Sequence, residues 1–147
     1  MKQAVRLTLV LLSLSFLLLT AASAQDQYTE GTVNRVILLR ILPGHFSAAM
    51  EDMKKNLQPI WEEEKANGLI EGYQLFFNQT KSGIDDWDMG LVLTYKNMAS
   101  LDGLSMKILE LRMKKYGDKS NEQKVVDKRV ENLQTVASYL TRNVTLK

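Results

Sequence analysis

Hydrophobic and polar positions divide the chain into runs with two different periods. Residues 72–79 and 87–96 are dense in aromatic and aliphatic side chains, and Lys81-Ser82-Gly83 with Asp85-Asp86 separates them. Strand-like runs around a Gly/Asp/Ser cluster predict a hairpin. Thr32–Leu42 predicts a strand before it, with Val36, Ile37, Leu38, Leu39 and Ile41 nearly continuous, as in a central strand. Pro43-Gly44 ends that strand. From Phe46 the period changes: Phe46, Met50, Met53, Leu57, Ile60 and Trp61 recur at helical spacing, with acidic and basic residues between them. Pro59 lies inside this helix and cannot donate to the carbonyl four residues back, which predicts a kink near Lys55. Asn67-Gly68 is a helix stop.

After the hairpin, Asn97 or Ser100 is placed to cap a helix with Leu101, Leu104, Ile108, Leu111 and Met113 inward, ended by Tyr116-Gly117. Ser120-Asn121-Glu122-Gln123 matches the S-x-x-Q capping box. It predicts a helical segment over 121–133 with Val126, Val130 and Leu133 inward. Val136–Leu146 is the last strand, and Gln25–Gly31 reads as a polar leader. The order β-α-β-β-α-β has one simple compact solution: a four-stranded antiparallel sheet with the helices on one face. That is an α+β, ferredoxin-like domain over residues 32–147.

Alternation along the strands assigns the faces. Tyr73, Leu75 and Phe77 share one face, as do Trp87, Met89, Leu91, Leu93 and Tyr95; these large apolar sets suit packing under helices. Gln74, Phe76, Asn78, Asp88, Gly90, Val92 and Thr94 fall on the other. In the first strand Asn34, Val36, Leu38 and Arg40 alternate with Arg35, Ile37, Leu39 and Ile41, and Arg40 is assigned to the mixed face. A mixed face is either solvated or covered by a second copy of the sheet. Gln74, Phe76, Asn78, Asp88, Val92, Thr94 and Arg40 converge there, and they form the candidate ligand-binding set: an apolar surface with a few orienting polar groups.

The first 24 residues read as a signal peptide. Lys2 and Arg6 precede the apolar stretch Leu7–Leu19, and Ala22-Ser23-Ala24 supplies an A-x-A cleavage site. The apolar core is shorter than the roughly 20 residues that span a bilayer. The protein is therefore expected to be exported, periplasmic or secreted, and free of the membrane after cleavage. Removing Lys2 and Arg6 from the 19 basic residues leaves 17 against 17 acidic ones, so the mature chain has no net charge. Without a basic footprint nucleic acid is not an expected partner. With no cysteine, stability must come from the core rather than from disulfides.

Individual chemical groups carry little. His45 is the single histidine; it has the pKa range of a general base, but a helix-entry surface residue is the expectation. Asp85, Asp86 and Asp88 lack the D-x-D-x-D-G spacing of a calcium loop, so a solvated loop is expected. Glu62-Glu63-Glu64 reads as a charged helix face, because consecutive helical residues cannot converge on one site. Met50, Met53, Met106 and Met113 read as core filler. Asn78-Gln79-Thr80 and Asn143-Val144-Thr145 match the N-x-T rule by coincidence. No metal site and no cofactor are expected.

The stretches RILPGHFSAAMEDMKKNLQPIWEEEKANGLIEGYQLF and DDWDMGLVLTYKNMASLD resemble the dimeric α/β-barrel proteins. That superfamily includes antibiotic-biosynthesis-type monooxygenases and haem-degrading enzymes. The resemblance covers residues 32–146. It implies a homodimer whose sheets close a barrel, with a pocket inside it or between sheet and helices. The haem-degrading members' histidine on the second helix has no counterpart in residues 98–133. The monooxygenase members use asparagine, tryptophan and tyrosine in the cavity; Asn34, Asn78, Trp61, Trp87, Tyr73 and Tyr95 are available here. The expectation is an exported homodimer binding a small apolar or aromatic ligand in the barrel. The alternatives are a cofactor-independent oxygenase-type enzyme and a purely structural dimer.

Overall fold

The computed structural model describes residues 27–147; the predicted signal segment 1–24 lies outside them. In chain order they form β1 (Tyr28–Ile41), α1 (Phe46–Asp52), a π-helical turn (Met53–Leu57), α2 (Gln58–Ala66) and β2 (Gly72–Phe77). Then come β3 (Met89–Tyr95), a 3-10 turn (Met98–Leu101), α3 (Leu104–Tyr116), α4 (Lys119–Val130) and β4 (Leu133–Leu146). The strands make one sheet in the order β2-β3-β1-β4. β3 runs antiparallel to both neighbours, with Ile37 and Leu75 each opposite Leu91. This order, with the helical segments inserted after β1 and after β3, is the ferredoxin-like α+β fold.

The main body is Thr32–Arg142. The strand ends beyond it, 27–31 and 143–147, make a small unit of their own. Within that unit the Lys147 amide donates to the Gln27 carbonyl at 3.1 Å. Because β1 begins at Tyr28, much of the predicted leader is strand.

The core lies between sheet and helices. Val33, Leu39, Met89, Leu91, Leu93 and Tyr95 of the sheet pack with Ala49, Met53, Trp61 and Leu104 of the helical layer. These sheet positions are one alternating set, as expected. Trp87 departs from it. It precedes β3, so strand alternation does not apply, and its ring meets Phe76 edge-on at 5.5 Å on the opposite face. Met106 and Val130 are also exposed rather than inward.

Pro59 acts on the chain before it. In the π turn the Gln58 amide donates to Met53, five residues back. Pro59 has no amide proton, so the Lys55 carbonyl lacks its helical donor. Lys115 Nζ donates to that carbonyl at 3.0 Å, and the Tyr116 hydroxyl donates to the Asn56 carbonyl at 3.3 Å. The end of α3 therefore satisfies backbone groups of the disturbed segment. Asn97 caps the 3-10 turn through the Ser100 amide, and α3 starts only at Leu104. The predicted S-x-x-Q box does not form. Asp118 caps α4 by accepting from the Asn121 amide at 2.8 Å, and Gln123 instead donates to Asp127.

Candidate functional site

The face of the sheet away from the core carries Val36 and Leu38 from β1, Phe76 from β2 and Val92 from β3, all half-buried. On β4, alternation from buried Leu133 puts Val136 and Leu140 on this face, 41% and 50% exposed. The buried residues of α1, α2 and α3 join the cluster on the other side. The result is an apolar surface bordered by a few polar groups. Asn34 and Thr94, opposite each other in the β1–β3 register, are joined by a 2.9 Å hydrogen bond from the Thr94 hydroxyl. Gln74, opposite Val92, is exposed.

The ring of Phe76 occupies the space above Gly90, its register partner, where a β-carbon would stand 2.1 Å from the ring tip. Trp87 packs edge-on against that ring. Phe76 and Trp87 thus form an aromatic wall at one end of the face, and Val36, Leu38 and Val92 continue the apolar surface.

The other three candidate residues do different work. Arg40 does lie on this face, as its contact with Gln134 at 3.4 Å indicates, but its guanidinium holds the loop before β3. It donates to the carbonyls of Asp85 and Asp86 and pairs with the Asp85 carboxylate at 3.3 Å. Asn78 donates to the Trp87 carbonyl at 3.0 Å and accepts from the Thr80 amide at 3.0 Å. Asp88 pairs with Lys81 and accepts from the Ile41 amide at 2.8 Å. Burial raises the Asp88 carboxyl, but Lys81, the Ile41 amide and Arg40 together hold it below its usual range. Asn78 and Asp88 also border a cavity of about 270 Å³ at the end of the sheet, with Ile41, Leu42, Gly44, Phe46 and Phe77. The candidate set therefore falls into two groups: Gln74, Phe76, Val92 and Thr94 on the open face, and Arg40, Asn78 and Asp88 around the loop.

His45 is not a plain surface residue. Its Nδ1 donates to Asn132 Oδ1 at 2.7 Å, because the amide nitrogen of buried Asn132 is donating to the Lys128 carbonyl. The bond fastens the start of α1 to the entry of β4. Glu64 overturns the expectation of a charged helix face. Glu62 and Glu63 are bonded at the surface, to Tyr73 and Lys114, whereas Glu64 is 3% exposed. A sequence signal was present: Glu64 stands three residues after Trp61 and four after Ile60, on their face of the helix.

No family model matches the chain, and no curated protein matches it in sequence. Solved structures do match. HapK from Hahella chejuensis is 10% identical, with 76% of this chain and 91% of that chain covered and a TM-score of 0.44. A nipsnap family protein from Agrobacterium tumefaciens is 10% identical over 80% of this chain and 89% of that one, at a TM-score of 0.46. This chain spans 44% of a candidate chlorite dismutase, to which it is 15% identical over 78% of its own length, at a TM-score of 0.44. A dimeric ferredoxin-like protein from an uncultured marine organism is 11% identical, covers 81% of this chain and 98% of its own, and has a TM-score of 0.47. The chain has a ferredoxin-like fold, and its structural relatives include dimeric ferredoxin-like proteins of unknown function.

Proposed function

We propose that the protein is an exported homodimer whose two sheets face each other to close an α/β barrel, which takes one small apolar or aromatic ligand. The observation that carries this reading is the open face. Val36, Leu38, Phe76 and Val92, with the exposed Val136 and Leu140, make a larger apolar surface than a solvated sheet face requires. A twofold contact needs only one self-complementary patch, and a specific one buries more than about 1,000 Å² in total. The Phe76–Trp87 pair supplies an aromatic wall for the ligand, and Gln74 supplies a polar group to orient it.

Binding is favoured over oxygenase chemistry by the placement of the asparagine, tryptophan and tyrosine residues. Trp61 and Tyr73 meet at a 45° tilt with ring centroids 5.2 Å apart on the helix side, while Trp87 lies on the open side. Asn34 is bonded to Thr94, and Asn78 to the loop. These residues do not converge on one reaction centre.

The test is sedimentation of the mature chain at micromolar concentration, beside Phe76→Asp. A dimer that Phe76→Asp dissociates is the expected result; a monomeric wild type refutes the barrel. Trp87 emission on titration with naphthalene reports the ligand, with a saturable change expected only in the dimer. The mass of the exported chain should place its first residue at or near Gln25.

A further inference from the structure

We propose that Arg35, Tyr95 and Glu64 form a second ligand site, within the helix-covered half of the domain, for a small organic carboxylate. The three groups come from β1, β3 and α2. Glu64 is 3% and Tyr95 0% exposed. Glu64 Oε2 and the Tyr95 hydroxyl are both buried without a hydrogen-bond partner. A buried polar atom left unpaired forfeits the hydrogen bond it would make in water, and here two such atoms lie within electrostatic reach of each other. Arg35 is half-buried on the helix-facing side of β1, opposite Leu93, and its charge acts on Tyr95. Among the described residues it forms no hydrogen bond or ion pair.

The chemistry of the three groups selects the ligand. Burial raises the Glu64 carboxyl against the opposing pull of Arg112, so Glu64 is biased toward its protonated, donating form. Arg112 itself is paired with Glu122 at 3.0 Å. Arg35 from β1 thus carries the unpaired charge near the site, beside the Tyr95 phenol from β3 and the Glu64 carboxyl from α2. A guanidinium, a phenol and a protonated carboxyl all donate, so they suit an anion that only accepts: a carboxylate. Trp61, Leu93 and Leu104, buried in the same cluster, call for an apolar or aromatic body. The site lies on the opposite side of the sheet from the open face, so it stands or falls independently of the barrel.

Benzoate is the probe, with benzamide and toluene as neutral analogues of similar size, and amide chemical shifts at residues 64 and 95 of the mature chain are the readout. Benzoate should produce saturable shifts, and benzamide should bind at least about tenfold more weakly, the loss expected with a charge-assisted bond. Arg35→Gln and Tyr95→Phe should each weaken benzoate about tenfold. Wild-type affinity for ionised benzoate should fall as rising pH removes the Glu64 proton, which burial holds above the usual carboxyl range. Glu64→Gln should bind benzoate with that pH dependence removed. The proposal is overturned if benzoate does not saturate, if toluene matches it, or if Arg35→Gln binds as wild type does. It also fails if Tyr95→Phe and Glu64→Gln raise the melting temperature while benzoate never binds, because the groups are then uncompensated packing residues.

Discussion

The tip of the Phe76 ring stands where a β-carbon of Gly90 would be, 2.1 Å from that position. The two residues are register partners on adjacent strands, so the aromatic ring covers a glycine that would weaken a bare strand. Gly90→Ala should force the ring off its seat and destabilise the fold by about 1–3 kcal/mol, the usual cost of overpacking. The ring's movement would also change its edge contact with Trp87. Urea unfolding and the Trp87 emission maximum measure the two effects. A variant of wild-type stability would show that the ring can move without cost.

Glu64 makes stability depend on pH in a definite direction. Its carboxyl titrates higher in the folded chain than the 4.5 of an unperturbed glutamate, chiefly because burial disfavours its charge. The folded state therefore binds the proton more tightly than the unfolded state does. Its contribution is complete below the unfolded value and is lost as pH rises through the folded one. Glu64→Gln should flatten the dependence and raise the urea midpoint at pH 8 more than at pH 5. A midpoint difference equal at both pH values would place the charged form comfortably in the core.

Asp88 and Arg40 both tie the loop between β2 and β3 to the end of β1, Asp88 through Lys81 and the Ile41 amide and Arg40 through Asp85. Asp88→Ala removes the acceptor of the Ile41 amide and should cost about 1–3 kcal/mol. Asp88→Asn keeps an acceptor and should cost less. Arg40→Ala should leave the global midpoint nearly unchanged while increasing amide exchange at residues 82–87. Equal exchange in Arg40→Ala and wild type would mean that the loop's own bonds, Asn78 to Trp87 and Asp86 to Ser82, suffice.

The π turn gives a coupled prediction. Tyr116→Phe removes the donor to the Asn56 carbonyl and should cost about 1 kcal/mol. Pro59→Ala restores an amide donor four residues beyond Lys55, so Lys115→Met should matter less in that background than in wild type. A double-mutant cycle measures the coupling; a cycle that closes at zero would show that the freed carbonyl is satisfied by solvent.

Much of this fold was legible because its signals are short-range. Period-two alternation separated buried Leu39 and Leu91 from half-buried Leu38 and Val92, and the missing amide of Pro59 located the distortion at Lys55. What failed depended on competition or on distant contacts. Asp118 and Ser120 both offered caps within three residues, and Asp118 won with the Asn121 amide. Trp87 was assigned by alternation, although it precedes the strand that enforces it. Glu64 was masked by its acidic neighbours, and only the third dimension separates one buried glutamate from two surface ones. The candidate site was read as one face, but Asn78 and Asp88 bond to a loop whose path no local pattern reveals.

β4 is an outer strand of the sheet, and from Leu133 to Arg142 it contains no proline and only one charged residue, Arg142 itself. Proteins usually guard such a margin with proline, lysine or a bulge, because an unguarded strand recruits other chains. With Val136, Tyr139 and Leu140 exposed along it, a lone subunit is a template for uncontrolled assembly. Concentration, more than moderate warming, should then be the hazardous treatment during purification, since pairing along a bare margin grows with the number of chains that can meet it.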